Sequence, residues 1–137
     1  MSKNRLVKEY TFTMPLFIQL AKSAKGKKYH INLNNCLGWH HSTYASLKRK
    51  YTALCEEQLK KPKIKTPISI EYVLYRGDKR KIDLANVCSM HDKFFADALR
   101  SWGCIPEDSV VELPSITFTF GGYEKGKGRI EIIVREI

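Results

Sequence analysis

Two segments with the periodicity of amphipathic helices, separated by runs of strand-forming residues, constrain the fold of this chain more than any other feature. Ser42 or Thr43 is placed to cap a first helix that runs to about Leu59, with apolar residues at three- and four-residue steps. A second helix is predicted from about Leu84 to Trp102, and Gly103 is a typical stop. Each helix has one apolar face, which must be buried against another element.

Runs rich in β-branched and aromatic residues predict the strands that surround these helices. They cover residues 6–13, 29–33, 66–76, 110–120 and 129–135, and a basic loop is predicted at 22–28. The glycine-rich segment 121–128 predicts a hairpin tip with basic side chains between the last two strands. The order ββαβαββ predicts a single α+β domain over residues 1–137, with a mixed or antiparallel sheet and two helices on one face.

The charge balance is the first indication of a partner. Lys and Arg total 24 against 14 Asp and Glu, which gives a formal net charge of +10. A hydrophobic fraction of 43% is sufficient for a core and excludes a disordered or collagen-like chain. No apolar run approaches the roughly 20 residues that span a bilayer, and no apolar signal core follows Met1–Arg5, so neither a membrane protein nor secretion is expected. A compact basic protein of this kind typically binds a polyanion.

The cysteines and histidines do not form a recognisable metal motif. Cys36, Cys55, Cys88 and Cys104 contain no closely spaced pair, so we expect reduced and mostly buried thiols. The neighbouring His40 and His41 would point about 100° apart on a helix, which makes them poor joint ligands.

All five aspartates fall between Asp78 and Asp108, although the chain as a whole is basic. The basic run 79–81 is followed by Asp83 at the predicted helix start, and Glu107–Asp108 precedes the next strand. Such carboxylates can hold Mg²⁺ while a basic surface holds DNA or RNA. The plainer alternatives are a helix cap at Asp83 and a polar turn at Glu107–Asp108.

A polar stripe is predicted along the edge of the second helix. Asn86, Lys93 and Asp97 fall within about 40° of one another on a helical wheel, and the stripe points back towards Asp83. Asp92 is predicted to lie away from it, on a more solvent-like side. The stripe either supports an active site or contains only an i,i+4 ion pair between Lys93 and Asp97.

The spacing of these residues resembles the RusA family, phage and prophage endodeoxyribonucleases that resolve Holliday junctions. The family pattern is roughly DxDN, a lysine, a DAL triplet four residues later, a glycine, and a DD or ED pair before a strand. The corresponding positions here are Asp83–Val87, Lys93, Asp97–Leu99, Gly103 and Glu107–Asp108. The order of the flanking elements also fits, so the resemblance extends loosely from Leu6 to Ile137.

The resemblance implies an α+β homodimer that requires Mg²⁺ and nicks two opposed strands of a four-way junction symmetrically, in the cytoplasm of a bacterial or phage-infected cell. It implies catalytic roles for Asp83, Asp108 and Lys93, and a supporting role for Asp97. The implied metal ligands are Asp83 and Asp108, assisted by Glu107 and Asn86. The residues expected to bind the DNA backbone are Lys79, Arg80, Lys81, Lys125, Lys127 and Arg129.

The chain departs from the family pattern at two places. Ala85 stands where the family has the second aspartate of DxDN, and alanine cannot bind a metal. The stretch from Asp83 to Lys93 is about one helical turn longer, which on a straight helix places the two residues about 15 Å apart. Two other functions therefore remain open: a nucleic-acid-binding module without catalysis, and a basic protein that binds an acidic protein surface.

Overall fold

A computed structural model describes residues 8–20 and 27–137. The elements in chain order are β1 (Glu9–Met14), β2 (Phe17–Gln19), β3 (Lys28–His30), α1 (Leu33–Gly38), α2 (His41–Leu54), α3 (Glu56–Leu59), β4 (Ile68–Arg76), α4 (Leu84–Ser101), β5 (Ser115–Tyr123) and β6 (Arg129–Glu136). The N-terminal stretch 1–5, the predicted strand start at residues 6–7 and most of the predicted loop 22–28 lie outside the described residues.

The main sheet is mixed and has four strands in the order β1-β6-β4-β5. β6 pairs antiparallel with both β1 and β4, whereas β4 and β5 are parallel and are joined through α4. β2 and β3 form a separate antiparallel pair. The predicted α+β class with a mixed sheet is therefore confirmed. No helix among the described residues has both the length and the apolar character needed to cross a membrane.

The predicted hairpin at residues 121–128 is wrong. β5 and β6 lie on opposite sides of β4, so the segment 124–128 crosses the end of that strand instead of turning between neighbours. Gly126 N donates to Gly77 O at 3.0 Å, and a Cβ on Gly128 would lie 3.0 Å from Gly77 N. The glycines thus allow two backbones to approach closely, which a local sequence pattern does not distinguish from a flexible turn.

Local capping explains a second difference, near residue 33. The strand predicted to end at Leu33 ends at His30, because Asn32 caps a short helix that begins there. The Asn32 side-chain oxygen accepts from Asn35 N at 2.8 Å, as expected of an N-cap. Neither α1 nor the strand β2 was indicated by the sequence.

The long helices pack on one face of the main sheet. Phe95 of α4 lies against Phe12 of β1 and Tyr72 of β4, with ring centroids 5.5 and 6.4 Å apart. The Cys55 thiol at the end of α2 lies 3.7 Å from Met14 Sδ of β1, which places α2 on the same side. The predicted apolar faces are largely buried, although Leu54 remains 43% exposed where α2 ends. All four cysteines are buried and unpaired, as predicted.

The other face of the sheet carries charged side chains. Arg135 pairs with Glu9 at 2.8 Å and with Glu71 at 3.2 Å, and Glu71 also accepts from the Thr119 hydroxyl. These residues alternate along their strands with the buried ones, which is the pattern of a sheet covered on one side only.

His91 is a buried titratable residue in the core. Its side chain is fully buried, and Nδ1 lies 2.9 Å from the Tyr51 hydroxyl. Burial lowers the pKa of His91 from 6.5 to about 3, because desolvation disfavours the imidazolium.

The protein is therefore expected to lose stability as the pH falls from about 6.5 towards about 3, since the unfolded chain takes up the proton first. Between pH 7 and pH 5 this amounts to about 2 kcal/mol. Urea unfolding at both pH values measures it, with His91→Gln as the comparison because glutamine can keep a hydrogen bond to Tyr51. A pH dependence equally steep in the variant would contradict the assignment to His91.

Candidate acidic pair and nucleic-acid interface

Asp83 is the N-cap of α4. Its Oδ1 accepts hydrogen bonds from Ala85 N at 3.0 Å and Asn86 N at 3.4 Å. The plainer alternative for this residue is thus confirmed, and one of its carboxylate oxygens has a structural role. The side chain is exposed, so the second oxygen faces solvent at the start of the helix.

Two members of the predicted polar stripe connect α4 to other helices. Asn86 Oδ1 accepts from Asn34 N of α1 at 2.9 Å. Asp97 accepts from Arg100 at 2.7 Å and pairs with Lys48 of α2 at 3.4 Å. The sequence allowed an ion pair between Asp97 and Lys93, but in the structure Asp97 pairs with Arg100 and Lys48 instead. Because this side of α4 faces α1 and α2, the two polar groups act in helix packing.

Asp92 was predicted to lie on a solvent-like side, and this prediction is wrong. The residue is half-buried and accepts a hydrogen bond from the hydroxyl of buried Tyr72 at 2.8 Å. Burial raises the pKa of Asp92, the Tyr72 hydrogen bond opposes the rise, repulsion by Asp108 adds to it, and Lys93 lowers it. Asp92 is thus held between the sheet and the loop that follows α4.

The charge of Asp108, in the loop after α4, reaches Asp92 and raises the pKa of its carboxyl, and we call these two residues the acidic pair. The N-cap Asp83 is nine residues before Asp92, about 14 Å along the helix axis. Glu107 and Asp108 are both exposed. Within residues 8–20 and 27–137, no group of three or more His, Cys, Asp or Glu residues has the geometry to hold a metal ion. The four implied metal ligands are thus not preassembled as one centre.

The spacing of residues on α4 relates Asp92 to Ala85, the position where the family pattern has an aspartate. Ala85, Ser89 and Asp92 are separated by four and three residues, so they lie along one line of α4. The Ser89 hydroxyl oxygen is buried and has no hydrogen-bond partner among the described residues. The position where the family pattern has an aspartate therefore lies on the same side of α4 as Asp92, about 10 Å away along the helix axis.

A basic segment, Lys79–Lys81, leads into α4 beside these residues. The three side chains are exposed, and the Lys79 ammonium lies 5.5 Å from the centroid of the Tyr123 ring. Asp78 anchors the segment through Arg80 at 3.0 Å and Arg76 at 3.1 Å. These hydrogen bonds and charges, chiefly those of Arg80, lower the pKa of Asp78 to about 2.

The other predicted DNA-binding residues lie on or next to the segment that crosses the end of β4. Lys125 and Lys127 are exposed. Arg129 instead pairs with Glu124 at 3.1 Å and Glu131 at 2.8 Å, and its guanidinium lies 4.1 Å from the centre of the Tyr75 ring. The assignment of these six residues to DNA binding remains a prediction. The exposed lysines are better placed to contact DNA than Arg129, which is already ion-paired.

The contacts of Asp92 give a direct test of this geometry. Asp108→Asn should lower the pKa of Asp92 because a repelling charge is removed. Lys93→Met and Tyr72→Phe should each raise it, because a cation or a hydrogen-bond donor is removed. Carbon-13 detected titration of the carboxyl groups measures all three shifts, with Glu56→Gln on α3 as a distant control. A pKa of Asp92 that is the same in Asp108→Asn as in the parent protein would contradict the pairing.

Two comparisons with known proteins found no relative of the chain. No protein-family model matches the chain, and a search of curated proteins gives no match either. The resemblance to the RusA family therefore depends on the residue pattern from Asp83 to Asp108 and on the order of the elements.

Proposed function

We propose that the protein is a Mg²⁺-dependent endodeoxyribonuclease that resolves four-way DNA junctions by paired symmetric nicks. One observation carries the proposal: in a chain of net charge +10, Asp92 of the acidic pair lies on the helix that the exposed basic segment Lys79–Lys81 leads into, and Asp108 lies in the loop that follows that helix. An arrangement of this kind can hold the phosphate backbone with its cations and act on a phosphodiester with its carboxylates.

The distance between the two features suits a DNA strand. From Leu84, the first residue of α4 and three residues after the basic segment, to Asp92 is eight residues, or about 12 Å along α4. Measured along the axis of a duplex, that length corresponds to three or four phosphates of one strand. A strand bound to the basic segment would thus extend to the acidic pair.

Asp108 and Asp92 would hold the metal ion, whereas Asp83, the further ligand that the resemblance implies, is about 14 Å from Asp92 along α4 and too distant to bind the same ion. Carboxylate oxygens are the ligands that Mg²⁺ prefers, and the bound ion would neutralise phosphate charge and acidify water. Lys93 would contact the scissile phosphate or steady the acids. Two equivalent nicks require two equivalent sites, which a homodimer would supply.

Cleavage of a synthetic four-way junction tests the proposal. With Mg²⁺, the protein should produce paired nicks at symmetric positions, and Asp108→Asn should reduce the rate at least 100-fold while junction binding persists. Asp92→Asn should cause a comparable loss if Asp92 is a ligand. Glu56→Gln is the matched carboxylate-to-amide control, because Glu56 is exposed on α3 and pairs only weakly with Lys60 at 3.8 Å. Absence of nicks from both the parent protein and Ala85→Asp would refute the proposal.

The salt dependence of binding tests the role of the basic segment. Removal of one phosphate-binding cation should reduce the slope of log K against log salt by about 0.9, so Lys81→Ala should lower it by about one unit. Lys50→Ala is the control, since Lys50 is also exposed but lies on α2. Fluorescence anisotropy over a series of salt concentrations measures both slopes. Equal slopes for Lys81→Ala and the parent protein would exclude a role for Lys81 in phosphate binding.

A nucleic-acid-binding protein without catalysis is the second candidate. Two observations favour it: Ala85 lacks the carboxylate of the family pattern, and the Asp83 carboxylate is engaged in capping α4. Full junction binding without cleavage under any divalent metal would support it, whereas cleavage that disappears in Asp108→Asn would exclude it.

A further inference from the structure

A cavity of about 580 Å³ opens between β5 and the segment that leads into α4. Its apolar part is formed by Leu74 of β4 with Ile82 and Leu84. Phe120 and Tyr123 of β5 supply aromatic surface, and the rim contains the basic segment Lys79–Lys81 together with Arg76 and Asp78, which is ion-paired to Arg76 and Arg80. The volume is within the range of about 300 to 1,000 Å³ that small ligands occupy in proteins. An apolar interior with a cationic rim is suited to a ligand that has a flat apolar part and a negative charge.

A β-bulge aims both aromatic rings at this cavity. In a regular strand Phe120 and Tyr123, three residues apart, would point to opposite faces of the sheet. The pairing of β4 with β5 shifts by one residue here, so that Leu74 is opposite Phe120 and Tyr75 is opposite Gly122. Gly121 is the extra residue, and the alternation of side chains resumes one position later. Tyr123 therefore lines the same cavity as Phe120.

Only glycines permit this bulge. Gly122 has φ +123°, which side-chain-bearing residues rarely adopt, and a Cβ on Gly121 would lie 2.7 Å from the ring of Tyr75. Bulges are uncommon between parallel strands and are found disproportionately next to functional sites, where they redirect a side chain. The bulge thus places the rings of Phe120 and Tyr123 on the same side of the sheet, at its edge.

The two rings are open to a partner. Phe120 is 55% exposed and Tyr123 is 41% exposed, although both are large apolar side chains. Lys79 lies over the Tyr123 ring, so that a cation is held where a ring-stacked ligand would have its charge. Aromatic faces beside exposed cations are the composition of sites that stack bases and bind phosphates.

We propose that this cavity holds an unpaired nucleobase of bound DNA, stacked on Phe120 and Tyr123, while Lys79 and Lys81 bind the adjacent phosphates. The inference rests on the proposed function in taking DNA as the substrate, and it extends the substrate class from four-way junctions, whose bases are all paired, to DNA with unpaired nucleotides. A base within a continuous duplex is paired and stacked on its neighbours, so its entry costs energy, whereas a nucleotide in a gap or at a single-stranded end enters without loss of pairing.

Binding in EDTA tests the proposal independently of cleavage. The DNA probes are a duplex with a three-nucleotide gap that contains 2-aminopurine, and a fully paired duplex of the same length. The parent protein should bind the gapped probe about tenfold more tightly and quench its fluorescence by stacking. Phe120→Ala should lose that preference, with about a tenfold weaker affinity for the gapped probe only. Tyr123→Phe, which keeps the ring, should retain the preference.

Ile116→Ala is the matched control, because Ile116 is an exposed apolar residue of β5 outside the cavity, 42% accessible. Thermal unfolding of each variant verifies that the fold is intact. Equal affinity for the two probes, or an unchanged preference in Phe120→Ala, would overturn the proposal. So would a sedimentation change in Phe120→Ala without an effect on base preference, since the cavity would then be a protein interface.

The outcomes also separate this inference from the proposed function. Base preference together with an uncut junction would sustain the cavity assignment and reject the nuclease. Junction cleavage that is equally efficient in Phe120→Ala, with no preference for the gapped probe, would reject the cavity assignment alone.

Discussion

The burial of α4 between the sheet and the other helices determines where the candidate polar residues of that helix lie. Neighbouring residues of α4 point in different directions: Phe95 packs on Phe12 and Tyr72 of the sheet, while Phe94 packs on Tyr51 of α2 with ring centroids 5.4 Å apart. Both phenylalanines are fully buried, and burial of one such side chain contributes about 2 to 3 kcal/mol. Rotation of α4 about its axis would disrupt both packing arrangements, so the orientation of its polar positions is fixed by the core.

This orientation divides the polar residues of α4 into two groups with different roles. Asn86 and Asp97 lie on the side of α4 that faces α1 and α2. Asn86 accepts a hydrogen bond from a backbone amide of α1, and Asp97 pairs with two cations, Arg100 and Lys48. Asp92 faces the sheet, where a buried tyrosine hydroxyl and the following loop surround it. A carboxylate with several close cationic partners is satisfied as it stands. Asp92 has one hydrogen bond, one nearby lysine and a like charge, so a bound cation would stabilise its ionised form more than that of Asp97.

The sequence predicted the features that depend on neighbours along the chain. The bounds of α4, its cap at Asp83 and its apolar face follow from periodicity and capping chemistry, which act within a few residues. The position of β6 between β1 and β4, and of β5 at the outer edge, depends on pairing between distant strands. The same limit applies to Asp92: its partner Tyr72 is 20 residues away and Asp108 follows the helix, so no wheel drawn on α4 alone reveals them.

The glycine-rich end of the chain shows why composition alone does not identify a flexible segment. Gly128 is packed against the backbone at Gly77, and Gly121 and Gly122 accommodate a bulge under the ring of Tyr75. Each of these glycines is required by a close approach or by a backbone angle, so together they hold the crossing segment against β4. Because that segment and the bulge are fixed, the ring of Tyr123 is held under the ammonium of Lys79. Lys79, which the sequence places in the basic run before the second helix, is thereby set beside aromatic surface, so that its positive charge has a defined neighbour that the sequence does not reveal.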